Sequence, residues 1–418
     1  MSVLVVNGGR PLAGSVAVRG AKNSVLPILA ATLLNAGRNV LHNCPDLRDV
    51  ESAIRILRHL GCRVTREGET VTVDSSVIER WDVPDALMRE MRSSVIFLGP
   101  LIARCGRACM TTPGGCELGP RPIDLHLDAL RRLGVSVEEA GGRIVCEARH
   151  MEGRDIILSF PSVGATENAM LAATACSGVT RIINAAREPE ICDLQEFLRK
   201  TGASVSGAGG SEIVVVGGST RHDTEHRIIP DRIETATYLC AAAACGGDVT
   251  LCGCEPEHVG TVTSVLSEAG CEIDIAGRSI RLRADRPLRA FAPVRTMPYP
   301  GFPTDAQAQM MACACTAQGT SIFLENIFEN RYRHVGELSR MGACIRVSGR
   351  VAVVEGGVPL HGASVRSTDL RGGAALVIAA LAAEGESRIG DVHHIDRGYQ
   401  SIECVLSRLG ADIRRENE

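Results

Sequence analysis

Lysine is almost missing from this 418-residue chain: of 45 lysines and arginines only Lys22 and Lys200 are lysine, and arginine is the default cation. A lysine at the start of an apolar stretch, as at Lys22, therefore marks a place that calls for a compact ammonium rather than a planar guanidinium. Aromatic residues are also scarce, at 3%, and the formal charge is −4. Together these exclude a nucleic-acid surface built on basic grooves and stacking platforms, while small anionic ligands stay open. The longest apolar runs, around 25–36 and 374–383, fall well short of the ~20 residues that cross a bilayer. Residues 1–9 lack the basic start and apolar block of a secretion signal, so a cytoplasmic protein is expected. No CxxC pair occurs, and the seventeen cysteines are scattered through apolar stretches. Buried thiols are expected rather than a disulfide framework. Cys252, Cys254 and His258 come nearest to a metal cluster, but without a CxxC pair neither a metal nor a cofactor is expected.

What the chain does contain is a phrase repeated six times, a short helix closing on a glycine that launches a strand: RHLGCRV at Gly61, RRLGVSV at Gly134, RKTGASV at Gly202, SEAGCEI at Gly270, SRMGACI at Gly342 and SRLGADI at Gly410. The intervals are 73, 68, 68, 72 and 68 residues, a steady period that means one supersecondary unit used repeatedly. Each unit reads as a first helix, a strand, a second helix ending at the glycine, then one or two strands. The first helices, such as GATENAMLAATACSG and RIETATYLCAAAACGG, are almost wholly small and apolar after their first turn, the pattern of a helix buried on every side. The strands between are short and β-branched. Helices and strands alternate, so the fold class is α/β, in six repeated units.

Residues that break a repeat need a reason beyond the scaffold. The first-helix starts carry Lys22 and Asn23, Arg92, Ser162, Arg232 and Glu234, Asp305, and Asp369 with Arg371. Capping accounts for Ser162 and the acids. It does not account for Lys22, Arg92 or Arg371, because a cation at a helix N-terminus opposes the macrodipole unless an anion is there too. A converging anion site is expected. The second-helix starts add Arg121, Asp124 and His126 in unit two, Arg331 and His334 in unit five, and Arg397 in unit six. From the glycine ending the first helix to that ending the second, the units measure 24, 28, 24, 24, 23 and 25 residues. The surplus of unit two falls on TTPGGCELGPRPIDLH at 111–126, a Gly- and Pro-rich loop with a single cysteine, Cys116. A cysteine near several cations would have a lowered pKa and could serve as nucleophile or proton donor.

At these residues the chain resembles the UDP-N-acetylglucosamine 1-carboxyvinyltransferases, a branch of the enolpyruvyl transferases. The matching motifs are GAKN at 20–23, PGGC at 113–116, GPRPIDLH at 119–126, SVGAT at 162–166, AAREPEI at 185–191, PDRIET at 230–235, FPTD at 302–305, ENR at 329–331, TDLR at 368–371 and HIDRGY at 394–399. The resemblance implies two inside-out, barrel-like α/β domains of three units each, at 22–229 and at 1–21 with 230–418, with the active site between them. It implies phosphoenolpyruvate and UDP-N-acetylglucosamine as substrates, and the first committed step of peptidoglycan synthesis. Cys116 would donate a proton to the phosphoenolpyruvate methylene carbon, hold that substrate covalently and be the thiol alkylated by fosfomycin. Lys22, Arg121 and Arg397 would hold phosphate and carboxylate. Asp305 would take the proton of the sugar 3-hydroxyl, as base or as final proton sink. Asn23, Arg92, Arg121, Pro122, Ile123, Asp124, Leu125, Ser162, Val163, Gly164 and Ile327 would contact the nucleotide sugar, with Asp369, Arg371 and Arg331 in support.

One departure stands out. Where some members carry a nucleotide-contacting lysine beside the serine of SVGAT, this chain has Phe160 and Pro161, so more of the nucleotide affinity would fall to Arg92 and Arg121. The alternatives are a shikimate-3-phosphate enolpyruvyl transferase and an inactive regulatory paralogue. The first would lack the PGGC loop, and the second would be expected to lose Cys116, Lys22 or Asp305.

Overall fold

The computed structural model describes residues 2–111, 123–284 and 287–417. Cys116, Arg121 and Pro122, and the side chain of Arg92, lie outside what is described. Among the described residues the chain forms two compact units, one of 2–19 with 230–417 and the other of 20–111 with 123–229. Each has its own apolar core.

The six predicted closures are present as one recurring structure. Gly61, Gly134, Gly202, Gly270, Gly342 and Gly410 all have φ between 91° and 113°. In each, the glycine N–H bonds the carbonyl three residues back and the next N–H bonds one five residues back, as in Gly134 to Arg131 and Val135 to Leu130. This is the Schellman cap, whose left-handed residue is cheapest as glycine.

Each unit holds three four-stranded sheets. In every sheet two strands pair in parallel, and the second of these joins antiparallel to a hairpin-like pair. The apolar first helices occupy the middle. In the unit of 230–417 the helices Arg232–Cys245, Thr304–Ala314 and Leu370–Ala382 pack on one another and are buried along nearly their whole length. Helices inside and sheets outside follow from helices with no polar face, which stay out of water only if sheets cover them on all sides.

Three details depart from a simple repetition. The sixth unit has one strand after its closing glycine, Asp412–Asn417, and its sheet is completed by the N-terminal strand Ser2–Asn7, with Leu4 opposite Arg415. Four units pair the strand before the first helix with the strand after it, whereas Ala13–Ala17 pairs with Asp248–Cys252 and Thr224–Arg227 with Arg38–His42. The two exceptions immediately precede the places where the chain passes from one unit to the other. Finally, the expected single helix over EMRSSVIFLGPLIARCG is broken into a 3-10 segment Arg92–Phe97 and a helix Leu98–Cys105. Pro100 cannot donate to a preceding carbonyl, and the Ser94 hydroxyl bonds the Met91 carbonyl in competition with helix.

Among the described residues every cysteine is a free thiol, no group of His, Cys, Asp or Glu is arranged to hold a metal ion, and no helix is long and apolar enough to cross a membrane.

Candidate active site

In the unit of 230–417 two of the predicted cations, Arg331 and Arg371, converge on Asp305, while Glu234 accepts from Arg19 N and the Tyr238 hydroxyl instead. Asp305 sits in the first turn of Thr304–Ala314, but the N-cap is Pro303 and no side chain caps the helix; the Asp305 carboxylate is instead gripped from two sides. Arg331 Nη2 is 2.9 Å from Oδ1 and Arg371 Nη2 is 3.0 Å from Oδ2. Both guanidinium groups are buried, while the carboxylate retains 27% exposure. Charge-assisted bonds of this kind fix a carboxylate in orientation. Arg331 Nη2 also bonds the Thr304 carbonyl at 3.0 Å. Burial acts to lower the Arg371 pKa, but the neighbouring Asp305, with Tyr399 and Asp231, outweighs it and holds the guanidinium charged.

Asp369 caps helix Leu370–Ala382 by accepting from Arg371 N and Gly372 N, both at 3.0 Å. Burial would raise its pKa; Arg331, the Gly372 N–H and His334 together hold it low. Behind Arg371 lies a fully buried polar node. The Tyr399 hydroxyl meets Thr237 Oγ1 at 2.8 Å, Gln309 Nε2 at 3.1 Å and Arg371 Nη1 at 3.2 Å, which joins all three central helices to the segment that bears Arg397. Ile327 is positioned by Glu325, whose carboxylate accepts the backbone N–H groups of Ile327 and Phe328 at 2.9 and 3.0 Å and the Thr304 hydroxyl at 3.0 Å.

The other unit gathers a second set. Lys22 opens helix Lys22–Ala31, and its Nζ lies 2.7 Å from Asp49 Oδ2, both groups being buried. Asn23 follows in the same turn, and Pro27 has no N–H to give the Asn23 carbonyl. Ser162 is the N-cap of Val163–Ala173, accepting from Ala165 N at 3.4 Å. Ile123, Asp124 and Leu125 form the start of helix Asp124–Arg132. Asn168, on helix Val163–Ala173, ties that helix to helix Asp124–Arg132 and to the segment 95–99. Its Oδ1 accepts from Gly99 N at 2.8 Å, and its Nδ2 donates to Val95 O at 2.9 Å and to His126 Nδ1 at 2.8 Å. Because an amide nitrogen only donates, His126 Nδ1 must accept, and the ring proton resides on Nε2. Burial depresses the His126 pKa to about 4, so the imidazole is neutral. Gly164 lies against this ring so closely that a Cβ would stand 2.8 Å from its Cε1. The backbone of the predicted nucleotide-sugar segment Ser162–Gly164 is thus placed directly on His126.

Of the predicted site residues, Asp305, Arg331, Asp369 and Arg371 come together in one unit, with Ile327 and Arg397 on segments tied to the same helices. Lys22, Asn23, Ile123–Leu125 and Ser162–Gly164 belong to the other. Asp49, Asn168 and Glu167 were not anticipated. Glu167 is buried in Val163–Ala173, and burial, with Glu190 and Glu188 nearby, raises its pKa well above the ordinary range. The signal for Glu167 and Asn168 was available in GATENAMLAA, where two polar residues interrupt a helix with no exposed face.

Comparison with known proteins agrees with this architecture over its full length. The family model described as EPSP synthase (3-phosphoshikimate 1-carboxyvinyltransferase) matches residues 6–406. The chain belongs to this enolpyruvyl transferase family. Within it, the chain is similar to UDP-N-acetylglucosamine 1-carboxyvinyltransferase 2 of Caldanaerobacter subterraneus subsp. tengcongensis, with 51% identity over 99% of this chain and 100% of the relative. It is 52% identical to UDP-N-acetylglucosamine 1-carboxyvinyltransferase 1 of Symbiobacterium thermophilum over 98% and 94%. Among solved structures, the enolpyruvyl transferase NikO from Streptomyces tendae superposes with a TM-score of 0.90 at 27% identity, covering 100% of this chain and 99% of that one. An EPSP synthase from Acinetobacter baumannii shares the fold, with a TM-score of 0.74 at 19% identity over the whole of both chains.

Proposed function

We infer that the chain transfers the enolpyruvyl group of phosphoenolpyruvate to the 3-hydroxyl of UDP-N-acetylglucosamine, with release of phosphate. The observation that carries this reading is identity of 51% and 52% to relatives of that name along essentially the whole chain. The family description also names a 3-phosphoshikimate enzyme. The EPSP synthase structures stand at 19% identity, so the sugar nucleotide is the favoured acceptor.

In the proposed reaction the sugar 3-oxygen adds to C2 of phosphoenolpyruvate while C3 receives a proton from Cys116 and the hydroxyl proton passes to Asp305. The tetrahedral adduct then loses a proton from its new methyl group to the Cys116 thiolate. Those electrons rebuild the C2–C3 double bond as the C2–O bond to phosphate breaks, and the proton held by Asp305 leaves with the phosphate. Arg331 and Arg371 support this role for Asp305, since a carboxylate held from both sides keeps its lone pairs aimed without reorganisation. Lys22, Arg121 and Arg397 hold the phosphate and carboxylate. Asn23, Arg92, Arg121–Leu125, Ser162–Gly164 and Ile327 hold the nucleotide sugar. The roles are divided between the two units, so neither alone is expected to turn over. Both substrates are cytoplasmic metabolites, and the product belongs to peptidoglycan synthesis.

The test is direct. Incubation with phosphoenolpyruvate and UDP-N-acetylglucosamine should give inorganic phosphate and, by NMR, a vinyl ether on the sugar 3-oxygen in equal amounts. Phosphate without the vinyl signal would reduce the protein to a phosphatase and overturn the reading.

A further inference from the structure

The segment that bears Arg397 is held in an unusual way. It leaves strand Glu386–Gly390 through Asp391 and enters helix Ile402–Arg408 through Ser401, and both hinge residues are left-handed, with φ of 55° and 49° although neither is glycine. Left-handed non-glycine residues are strained and persist only where their surroundings impose them. What imposes them is visible on both sides of Arg397. Immediately before it, Asp396 is forked by Arg415, with Nη1 to Oδ2 at 2.9 Å and Nη2 to Oδ1 at 2.7 Å. The same guanidinium grips Glu403 at the start of the following helix, at 2.9 and 3.1 Å. After Arg397, Tyr399 is fixed by Arg371, Thr237 and Gln309, and the Gln400 carbonyl accepts from Arg19 Nη1 at 2.5 Å.

Arg415 is well placed to be the fixed point. It lies on Asp412–Asn417, in register with Leu4 of the neighbouring strand, which is itself in register with Ile389, two residues before Asp391. Leu4 and Ile389 are fully buried. A row across one sheet thus runs from the anchor to the root of the segment it restrains. No shorter side chain reaches both carboxylates, and a lysine could not fork either one.

We propose that Arg415 is a positioning residue that sets the Arg397 guanidinium for its anionic ligand, by clamping Asp396 and Glu403 on either side of the 397–401 turn. This rests on the proposed function for the identity of that ligand, phosphoenolpyruvate, but the clamp itself does not.

The experiment uses the full chain with Arg415→Met and, as a milder variant in case that chain fails to fold, Asp396→Asn. Two quantities are read: steady-state kinetics with phosphoenolpyruvate and UDP-N-acetylglucosamine, and hydrogen–deuterium exchange of the ligand-free protein. Loss of positioning should raise KM for phosphoenolpyruvate about tenfold or more, leave KM for UDP-N-acetylglucosamine within about twofold, and speed exchange across 392–400 selectively. The double variant should be no worse than Arg415→Met, since both break one clamp. Arg415→Lys should fall between wild type and Arg415→Met. A folded Arg415→Met with wild-type KM values and wild-type exchange at 392–400 overturns the proposal, as does a uniform loss of stability that leaves both KM values unchanged. If the wild type itself releases no phosphate, the reading of the ligand fails, and the exchange measurement still decides whether Arg415 holds the segment.

Discussion

Two buried cations stand at matching places in the two units, and they are held in opposite ways. Lys22 opens the first helix of unit one, with its ammonium 2.7 Å from Asp49 Oδ2. Arg371, at the start of the first helix of unit six, spreads its planar group between Asp305 Oδ2 and the Tyr399 hydroxyl. A point contact suits an ammonium, and a two-way contact suits a guanidinium. The chain's bias makes the difference informative: arginine is the usual cation here, and at Lys22 the buried partner of Asp49 is an ammonium instead.

The same contrast runs through two histidines. His126 and His334 each lie eight residues before a closing glycine, Gly134 and Gly342, both are buried, and burial lowers both pKa values to about 4. His126 is paired with Asn168. His334 packs beside Asp369 and Arg331, and neither ring nitrogen makes a hydrogen bond of normal geometry among the described residues. One scaffold position has therefore been fitted into a neutral clasp in one unit and into a charged cluster in the other.

The comparison breaks first at Lys22. Lys22→Arg should cut phosphate release about 100-fold, because the larger planar group cannot take the ammonium's place against Asp49 without moving. Wild-type kinetics from that variant would show that any cation serves. Next comes the neutral clasp: Asn168→Ala removes three hydrogen bonds and leaves buried groups unpaired, for an expected loss of about 4 kcal/mol in denaturant unfolding. A loss below about 1 kcal/mol would mean that the helix starts are held by apolar packing alone.

Smaller, and specific to pH, is the effect of the histidines. A folded-state pKa near 4 lies below the ordinary 6.5, so each neutral ring contributes stability that is complete above pH 6.5 and is lost as pH falls toward 4. Glu234 opposes them. Burial and Asp231 raise it to about 7, and its contribution, present below 4.5, is lost as pH rises through 7. The informative quantity is thus a difference between variants. Between pH 6.5 and 4, wild type should lose up to about 3 kcal/mol relative to His126→Gln, and a difference that does not vary with pH would show that His126 is not kept neutral.

The fold was legible because its rules are local: closing glycines, alternating periods and wholly apolar helices are written in consecutive residues. The sheet completed by Ser2–Asn7 and the exchanged pairings of Ala13–Ala17 and Thr224–Arg227 were not, because each depends on strands far apart in the chain. The candidate site divided in the same way. Lys22, Asp305, Asp369 and Arg371 announced themselves as charges in an apolar setting. Asp49 stood in the first turn of an ordinary amphipathic helix, and Arg415 in a strand rich in charge, so nothing local set either apart. Their importance comes from the partner each reaches.

The most direct test of the account is the choice of acceptor. Phosphate release from phosphoenolpyruvate should be rapid with UDP-N-acetylglucosamine and at background with shikimate 3-phosphate. Release with shikimate 3-phosphate alone would contradict it.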